Sequence, residues 1–217
     1  RDRLRSRGLG DVYKRQEIYL IKKNYDKAEI VAQNYLSAYP NNEYTAEMYR
    51  VLGDADYHFG KYHEAMGAFE KYLANNKEEA PRRDALYMLG LSYYHSGVYT
   101  KAANTLGEVA TGNDALSQNA YLHMGLSYLQ MGDKNKARMA FEQASASNAN
   151  MQIKEQAAYN YALCIHETSY SAFGESVTVF EKFLNEFPNS QYVDKVSSYL
   201  VEVYMNCLLY TSDAADE

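Results

Sequence analysis

Apolar residues recur at helical spacing along almost the whole chain, and only three prolines interrupt them. An apolar face that returns every three or four residues predicts amphipathic helices, whereas a half-buried strand would alternate every second residue. The pattern therefore predicts an all-α protein.

The helical pattern also repeats. When the sequence is aligned on Gly53, Gly90 and Gly125, the same residue types return in steps of 37 and 35 residues. Periods of this size are typical of stacked helix pairs. The first glycine is expected at a close helix crossing. A second glycine seven residues later is expected to end the first helix of each pair in the left-handed conformation. These second glycines are Gly60, Gly97 and Gly132, and an alanine on the second helix follows each of them: Ala65, Ala102 and Ala137.

Together these positions resemble the tetratricopeptide repeat family. The resemblance implies an α-solenoid of stacked antiparallel helix pairs, each with a helix A and a helix B, that binds proteins. It covers four complete pairs, with half a pair at each end of the array. The fourth pair departs from the family pattern, because Ala162 replaces the first glycine and Ser169 replaces the turn glycine. Its loop, around residues 168–174, is therefore expected to be longer and irregular.

The resemblance also implies where a partner binds, since helix A positions line the concave face in this family. Here they form an aromatic and aliphatic trough with an acidic start, and an exposed apolar surface of this extent usually marks an interaction site. The alternative, that neighbouring repeats or missing ends cover the trough, stays open. One subtype of the family binds carboxylates through Lys and Asn at these positions, which this chain lacks. The predicted partner-binding residues are Arg50, Asp54, Tyr57, Tyr87, Leu91, Tyr94, Leu122, Leu126, Tyr159 and Leu163.

Both ends of the chain resemble translated sequencing-adapter sequence. Residues 11–16 can be encoded by DNA whose reverse complement, shifted by one base, encodes residues 207–212. Residues 1–16 and 207–217 are therefore predicted to be adapter-derived, without native structure. Residues 17–206 are predicted to be the repeat domain, a metagenomic fragment of a larger bacterial protein.

Charge and cysteine content restrict the kinds of partner. The adapter-like ends hold six of the 22 Lys and Arg residues and five of the 28 Asp and Glu residues, which leaves the repeat domain a net charge of −7. Nucleic acid is therefore not expected as a partner, because phosphate binding requires clustered positive charge. No apolar run is long enough to predict a membrane span. A protein or peptide remains the expected partner, and self-association through uncapped repeat ends is a further hypothesis.

No residue pattern predicts catalysis, a metal or a cofactor. Cys164 invites a nucleophile hypothesis, but it occupies the position held by Ala55, Ser92 and Ser127 in the other pairs. A small packing residue is the simpler interpretation, since free cysteine behaves as a small buried apolar residue. No two of the five histidines have the i, i+4 spacing that places two metal ligands on one helix face.

Two short motifs resemble the repeat variant of bacterial envelope proteins. They are residues 183–192, with the run Phe-Pro-Asn-Ser, and residues 35–44, with the run Tyr-Pro-Asn-Asn. The resemblance implies a periplasmic or outer-membrane-associated protein. The alternative is a regulatory repeat region of an enzyme or signalling protein whose catalytic domain lies outside this sequence.

Overall fold

A computed structural model describes residue 19 and residues 22–76, 79–168 and 174–213. Within these ranges the chain is all-α, as predicted, with ten helices and no strand. The chain divides into two compact units, Arg1–Val109 and Ala110–Glu217. The helices of the first unit are α1 (Tyr25–Ala38), α2 (Thr45–His58), α3 (Tyr62–Asn75), α4 (Glu79–His95) and α5 (Tyr99–Val109). Those of the second are α6 (Ala115–Gln130), α7 (Lys134–Ala146), α8 (Met151–Thr168), α9 (Gly174–Glu186) and α10 (Val193–Asp213).

Glycine ends the first helix of three pairs, as the repeat pattern predicts. Gly60, Gly97 and Gly132 have φ values of 73°, 77° and 77°. Residues with a Cβ rarely adopt this left-handed conformation, whereas glycine adopts it without a steric penalty. The turn is closed by the backbone N–H of Gly60, which donates to the carbonyl of Tyr57 at 3.0 Å.

In the three pairs that have it, the first glycine lies at a close helix crossing, which confirms the prediction for Gly53, Gly90 and Gly125. A Cβ built on Gly90 would lie 2.6 Å from Cγ of Leu106, and one on Gly125 would lie 2.5 Å from Cε1 of Phe141. In both cases the large side chain comes from helix B of the same pair. The helices can approach this closely only because helix A has no side chain there.

The first unit is built around two apolar clusters. Ala28, Ala32 and Tyr35 of α1 pack with Met48 and Val51 of α2. The second cluster joins α3, α4 and α5, and its buried members include Phe69, Tyr72, Leu89, Tyr93 and Ala102. Each helix pair therefore buries its apolar face partly against the next pair, as expected for stacked repeats.

The second unit follows the same scheme. Leu122, Phe141 and Cys164 belong to a cluster that joins α6, α7 and α8. Ala162 packs with Phe180 in a further cluster that includes α10. The alanine at position 162 therefore serves the small-residue role of the glycine that the fourth pair lacks. Ser169, where the turn glycine was expected, lies outside the described residues.

The boundaries of the repeat domain, at residues 17 and 206, stay a prediction. Residues 1–16 lie outside the described part of the chain. Helix α10 continues past the predicted native end at residue 206 and reaches Asp213. Within this extension the side chain of Leu208 is 65% exposed.

Candidate functional site

An aromatic group lies on the helix A side of the first unit, where helices α2 and α4 end. The ring of Tyr57, in the last turn of α2, contacts His95 in the last turn of α4, with ring centroids 5.8 Å apart. His95 also lies 5.3 Å from Tyr94 and stacks on Tyr62, the first residue of α3, at 4.7 Å. Tyr57 and Tyr94 are half-buried and pack against the cluster that joins α3, α4 and α5. The fold thus brings two predicted site tyrosines from successive A helices into one group.

Tyr87 lies two helical turns earlier on α4 than Tyr94 and belongs to the same region. Burial raises the pKa of its phenol to about 12, and the nearby Tyr57 contributes to this shift. Tyr87 is half-buried, so part of the ring remains accessible. Its predicted role as a partner contact is compatible with this position.

A network of charges forms the acidic start of the predicted trough. Arg50 donates to Glu47 at 2.9 Å and to Asp54 at 3.3 Å, all on α2. Burial raises the pKa of Asp54 to about 6, whereas the charge of Arg50 opposes the shift and the charge of Asp84 adds to it. Asp54 therefore titrates close to neutral pH. The single Arg50 guanidinium holds two carboxylates in place at this end of the surface.

Two predicted site residues are not on the surface. Leu91 is 6% exposed and Leu122 is 1% exposed. Leu122 packs against Phe141 and Cys164, between α7 and α8. Leu91 lies directly after Gly90, where α4 closely approaches Leu106 of α5. Neither leucine presents enough side chain for a partner to contact.

In the second unit, Tyr159 of α8 is held by a stacked neighbour. Its ring stacks on Tyr192 with centroids 4.0 Å apart and planes at 9°. Leu163, one turn later, packs against the same cluster as Tyr159. Leu126 is half-buried on α6 and packs against the cluster that contains Phe141. Tyr192, which the sequence analysis did not place in the site, covers one face of the Tyr159 ring.

Two histidines stack on tyrosines, which the sequence analysis did not predict. Tyr25 stacks on His58 at 3.9 Å, and Tyr62 stacks on His95 at 4.7 Å. In both pairs the tyrosine begins a helix B and the histidine ends the next helix A, 33 residues later. Burial lowers the pKa of both histidines. The shared 33-residue spacing was the signal that could have revealed these pairs.

The second unit has an ion pair at the same two positions. Nζ of Lys134, which begins α7, lies 3.1 Å from a carboxylate oxygen of Glu167 near the end of α8, again 33 residues later. The same two positions thus link successive helix pairs through an aromatic stack in the first unit and through opposite charges in the second.

Cys164 has the environment of a packing residue. Its thiol is buried, and burial raises its pKa to about 11, with a smaller contribution from Glu167. A thiol that holds its proton at neutral pH is a poor nucleophile. Nδ1 of His166 lies 3.3 Å from the hydroxyl of Ser176.

Among the described residues, no group of three or more His, Cys, Asp or Glu side chains is arranged to hold a metal ion. Within that same part of the chain, no helix has the length and apolar character needed to cross a membrane.

A family model places part of the chain among helical repeat proteins. Residues 60–144 match the model described as anaphase-promoting complex, cyclosome, subunit 3. The match covers helices α3 to α7 except for the final residues of α7. No curated protein matches the chain.

Several solved structures have the same fold. A tetratricopeptide repeat protein from Parabacteroides merdae is 19% identical with a TM-score of 0.65, over 95% of this chain and 76% of that one. YrrB, a tetratricopeptide repeat protein with an unusual peptide-binding site, is 17% identical with a TM-score of 0.69, over 86% of this chain and 90% of its own. MamA is 23% identical with a TM-score of 0.63, over 78% of this chain and 92% of its own.

Proposed function

We propose that this chain, which has the fold of tetratricopeptide repeat proteins, is an interaction scaffold that binds a peptide or partner protein along its helix A surface. The observation that carries the proposal is the group formed by Tyr57, Tyr87 and Tyr94. These tyrosines come from two successive A helices and keep part of each ring accessible. Tyrosine is enriched among the residues that dominate binding energy, because it offers a large, rigid surface with a polar end.

The rigidity of this aromatic group favours binding. Tyr57 is held between Tyr62 at 5.4 Å and His95 at 5.8 Å. Side chains that are already ordered lose little conformational entropy when a partner binds, so more of the contact energy appears as affinity. The group is therefore suited to hold an apolar side chain of a partner.

The acidic start gives the surface a direction. Glu47, Arg50 and Asp54 form a network on α2 whose last residue, Asp54, lies one turn before Tyr57. A bound peptide meets charge at one end and aromatic rings at the other, and such an arrangement favours one orientation and register. In the second unit, the proposed partner contacts are the aromatic and aliphatic side chains of Tyr159, Leu163 and Leu126. Leu91 and Leu122 are left out of it because they are buried.

We further propose that the chain acts by binding alone. The side chain that most invited a catalytic hypothesis, Cys164, has a buried thiol with a pKa of about 11. The histidines with lowered pKa values, His58 and His95, stack on tyrosines rather than contacting a nucleophile.

A peptide selection tests the proposed function and does not require the natural partner. A displayed library of random peptides is selected against the full chain, and amide hydrogen exchange is then measured with and without a selected peptide. The proposal predicts slower exchange in the second halves of α2 and α4. Protection confined to the outer faces of α3 and α5 would contradict it.

A further inference from the structure

One position on helix A differs in kind between the four helix pairs. The third residue after the small residue of helix A is Tyr93, Tyr128 or Ile165 in three pairs, and it is Asp56 in the pair formed by α2 and α3. Tyr93 and Ile165 are buried, and Asp56 is also buried, with 4% of its surface exposed. A carboxylate therefore stands where the other pairs place a large ring or an aliphatic side chain.

Asp56 lines an open cavity of about 400 Å³ between α1 and α3. Tyr49 and Leu52 of α2 also line this space, and Gly67 and Ala68 line it from α3. The cavity therefore combines a small apolar patch with the carboxylate of Asp56 and with other charged side chains.

The carboxylate of Asp56 has no hydrogen bond within the described part of the chain. Its one ion pair there is with Nζ of Lys61 at 4.0 Å, which is too long for a hydrogen bond. Lys61 instead donates to Glu29 at 2.6 Å. Burial raises the pKa of Asp56 to about 6, and the charge of Glu29 adds to the shift. The protein thus holds a mostly buried carboxylate whose charge Lys61 only partly balances.

The other charged groups at the cavity leave it short of positive charge near Asp56. Glu29 and Glu64 contribute two more carboxylates, and His63 adds an imidazole. The second ammonium group, of Lys71, lies over the ring of Tyr49 at 5.0 Å from its centroid. Both lysines at the cavity therefore already have a partner other than Asp56.

We propose that this cavity binds one arginine side chain of a partner protein, whose guanidinium forms a bidentate ion pair with Asp56. Guanidinium matches a carboxylate with two parallel N–H donors and loses less hydration energy on burial than an ammonium group. The aliphatic stem of the arginine would lie along Leu52 and Ala68. This site lies between two B helices and is independent of the helix A surface described above.

Small probes test the proposal on the full chain. Binding of N-acetyl-arginine amide is measured by calorimetry and by the carboxyl carbon resonances of isotopically labelled aspartates, and N-acetyl-citrulline amide serves as the uncharged control of the same shape. We expect saturable binding of the arginine probe with a shift of the Asp56 resonance, and at least tenfold weaker binding of the citrulline probe. Asp56→Asn should also weaken binding at least tenfold, whereas Asp26→Asn, an exposed aspartate on α1, should leave it unchanged.

Several results would overturn the assignment. Equal affinity for the citrulline probe would show that no ion pair forms, and equal affinity for N-acetyl-lysine amide would show that the site does not select guanidinium. Loss of binding in Asp54→Asn, with normal binding in Asp56→Asn, would assign arginine recognition to the helix A surface instead. The absence of saturable binding up to the solubility limit of the arginine probe would also contradict the proposal. None of these results depends on whether a peptide binds Tyr87 and Tyr94.

Discussion

The imidazole of His95 stacks on the phenol ring of Tyr62 with centroids 4.7 Å apart and planes at 18°. The two residues belong to successive helix pairs, so the contact joins the end of one helix A to the start of the preceding helix B. Burial lowers the pKa of His95, which means that the folded protein favours the neutral ring. The contact is therefore expected to depend on pH.

Acidification should weaken this contact. Between the lowered pKa of folded His95 and its ordinary value of about 6.5, the unfolded chain binds more protons than the folded one, so stability falls as the pH falls through this window. The variant His95→Gln removes this pH-dependent contribution to stability. It introduces the residue that the next helix pair has at the same position, Gln130. Urea unfolding at pH 7.5 and pH 5.5 should show a smaller loss of stability on acidification for the variant than for the parent protein. An equal loss in both would contradict the assignment.

Asp56 should show the opposite pH dependence. Its pKa is raised to about 6, so folding favours the protonated form and the penalty of its charge grows as the pH rises from about 4 through 6. Asp56→Asn should therefore stabilise the protein by about 1 to 2 kcal/mol at pH 7.5 and have little effect at pH 4. Unfolding by urea at the two pH values checks this. Asp26→Asn, on the exposed face of α1, should have little effect at either pH, and a destabilised Asp56→Asn at pH 7.5 would show that the carboxylate is satisfied.

The glycines at the helix crossings should not tolerate even one methyl group. In Gly125→Ala the new Cβ would lie 2.5 Å from the ring of Phe141, and we expect a loss of about 1 to 3 kcal/mol from overpacking. The matched control is Gly67→Ala, because a Cβ on Gly67 of α3 would meet no atom within 4 Å. That variant should gain about 0.5 to 1 kcal/mol from helix propensity. Chemical denaturation compares the two, and similar stabilities would show that the crossing is not tight.

Cys164→Ser should be nearly neutral. At the equivalent positions, the hydroxyl of Ser92 donates to the carbonyl of Met88 at 2.7 Å and that of Ser127 donates to the carbonyl of His123 at 2.7 Å. A serine at position 164 can make the same bond to the carbonyl four residues earlier, so the cost should stay below about 1 kcal/mol. Denaturant unfolding measures it. In the parent protein, iodoacetamide should alkylate Cys207 faster than the buried Cys164, and fast alkylation of Cys164 in the folded protein would contradict its packing role.

The sequence predicted the helix crossings and turns better than the surface. Gly90 and Gly125 were placed correctly because a close crossing admits no side chain, and this constraint leaves a repeated residue type. Leu91 and Leu122 were placed on the concave face but are buried, because helical register gives the direction of a side chain and not how far a neighbouring helix extends over it. The burial of Asp56 depends on the packing of α1 and α3, which no spacing along α2 reveals.

The structure also changes the choice of control residues for binding experiments. Glu70 of α3 is not a suitable control, because it accepts a hydrogen bond of 2.5 Å from the hydroxyl of Tyr93. Glu70→Ala would therefore disturb the core of the first unit. Asn104 and Glu108, on the outer face of α5, are exposed and serve better.

The affinity of library-selected peptides for two double variants tests the central proposal most directly. One double variant carries Tyr87→Ala and Tyr94→Ala on the helix A surface, and the other carries Asn104→Ala and Glu108→Ala on the outer face of α5. Urea unfolding first shows that both variants fold, and fluorescence anisotropy then measures the affinity of each for the peptides. The proposal predicts that the tyrosine variant loses at least about 2 kcal/mol of binding free energy, the size expected of aromatic anchors, and that the outer variant binds like the parent protein. Peptides that bind the tyrosine variant normally and lose affinity for the outer variant would contradict it.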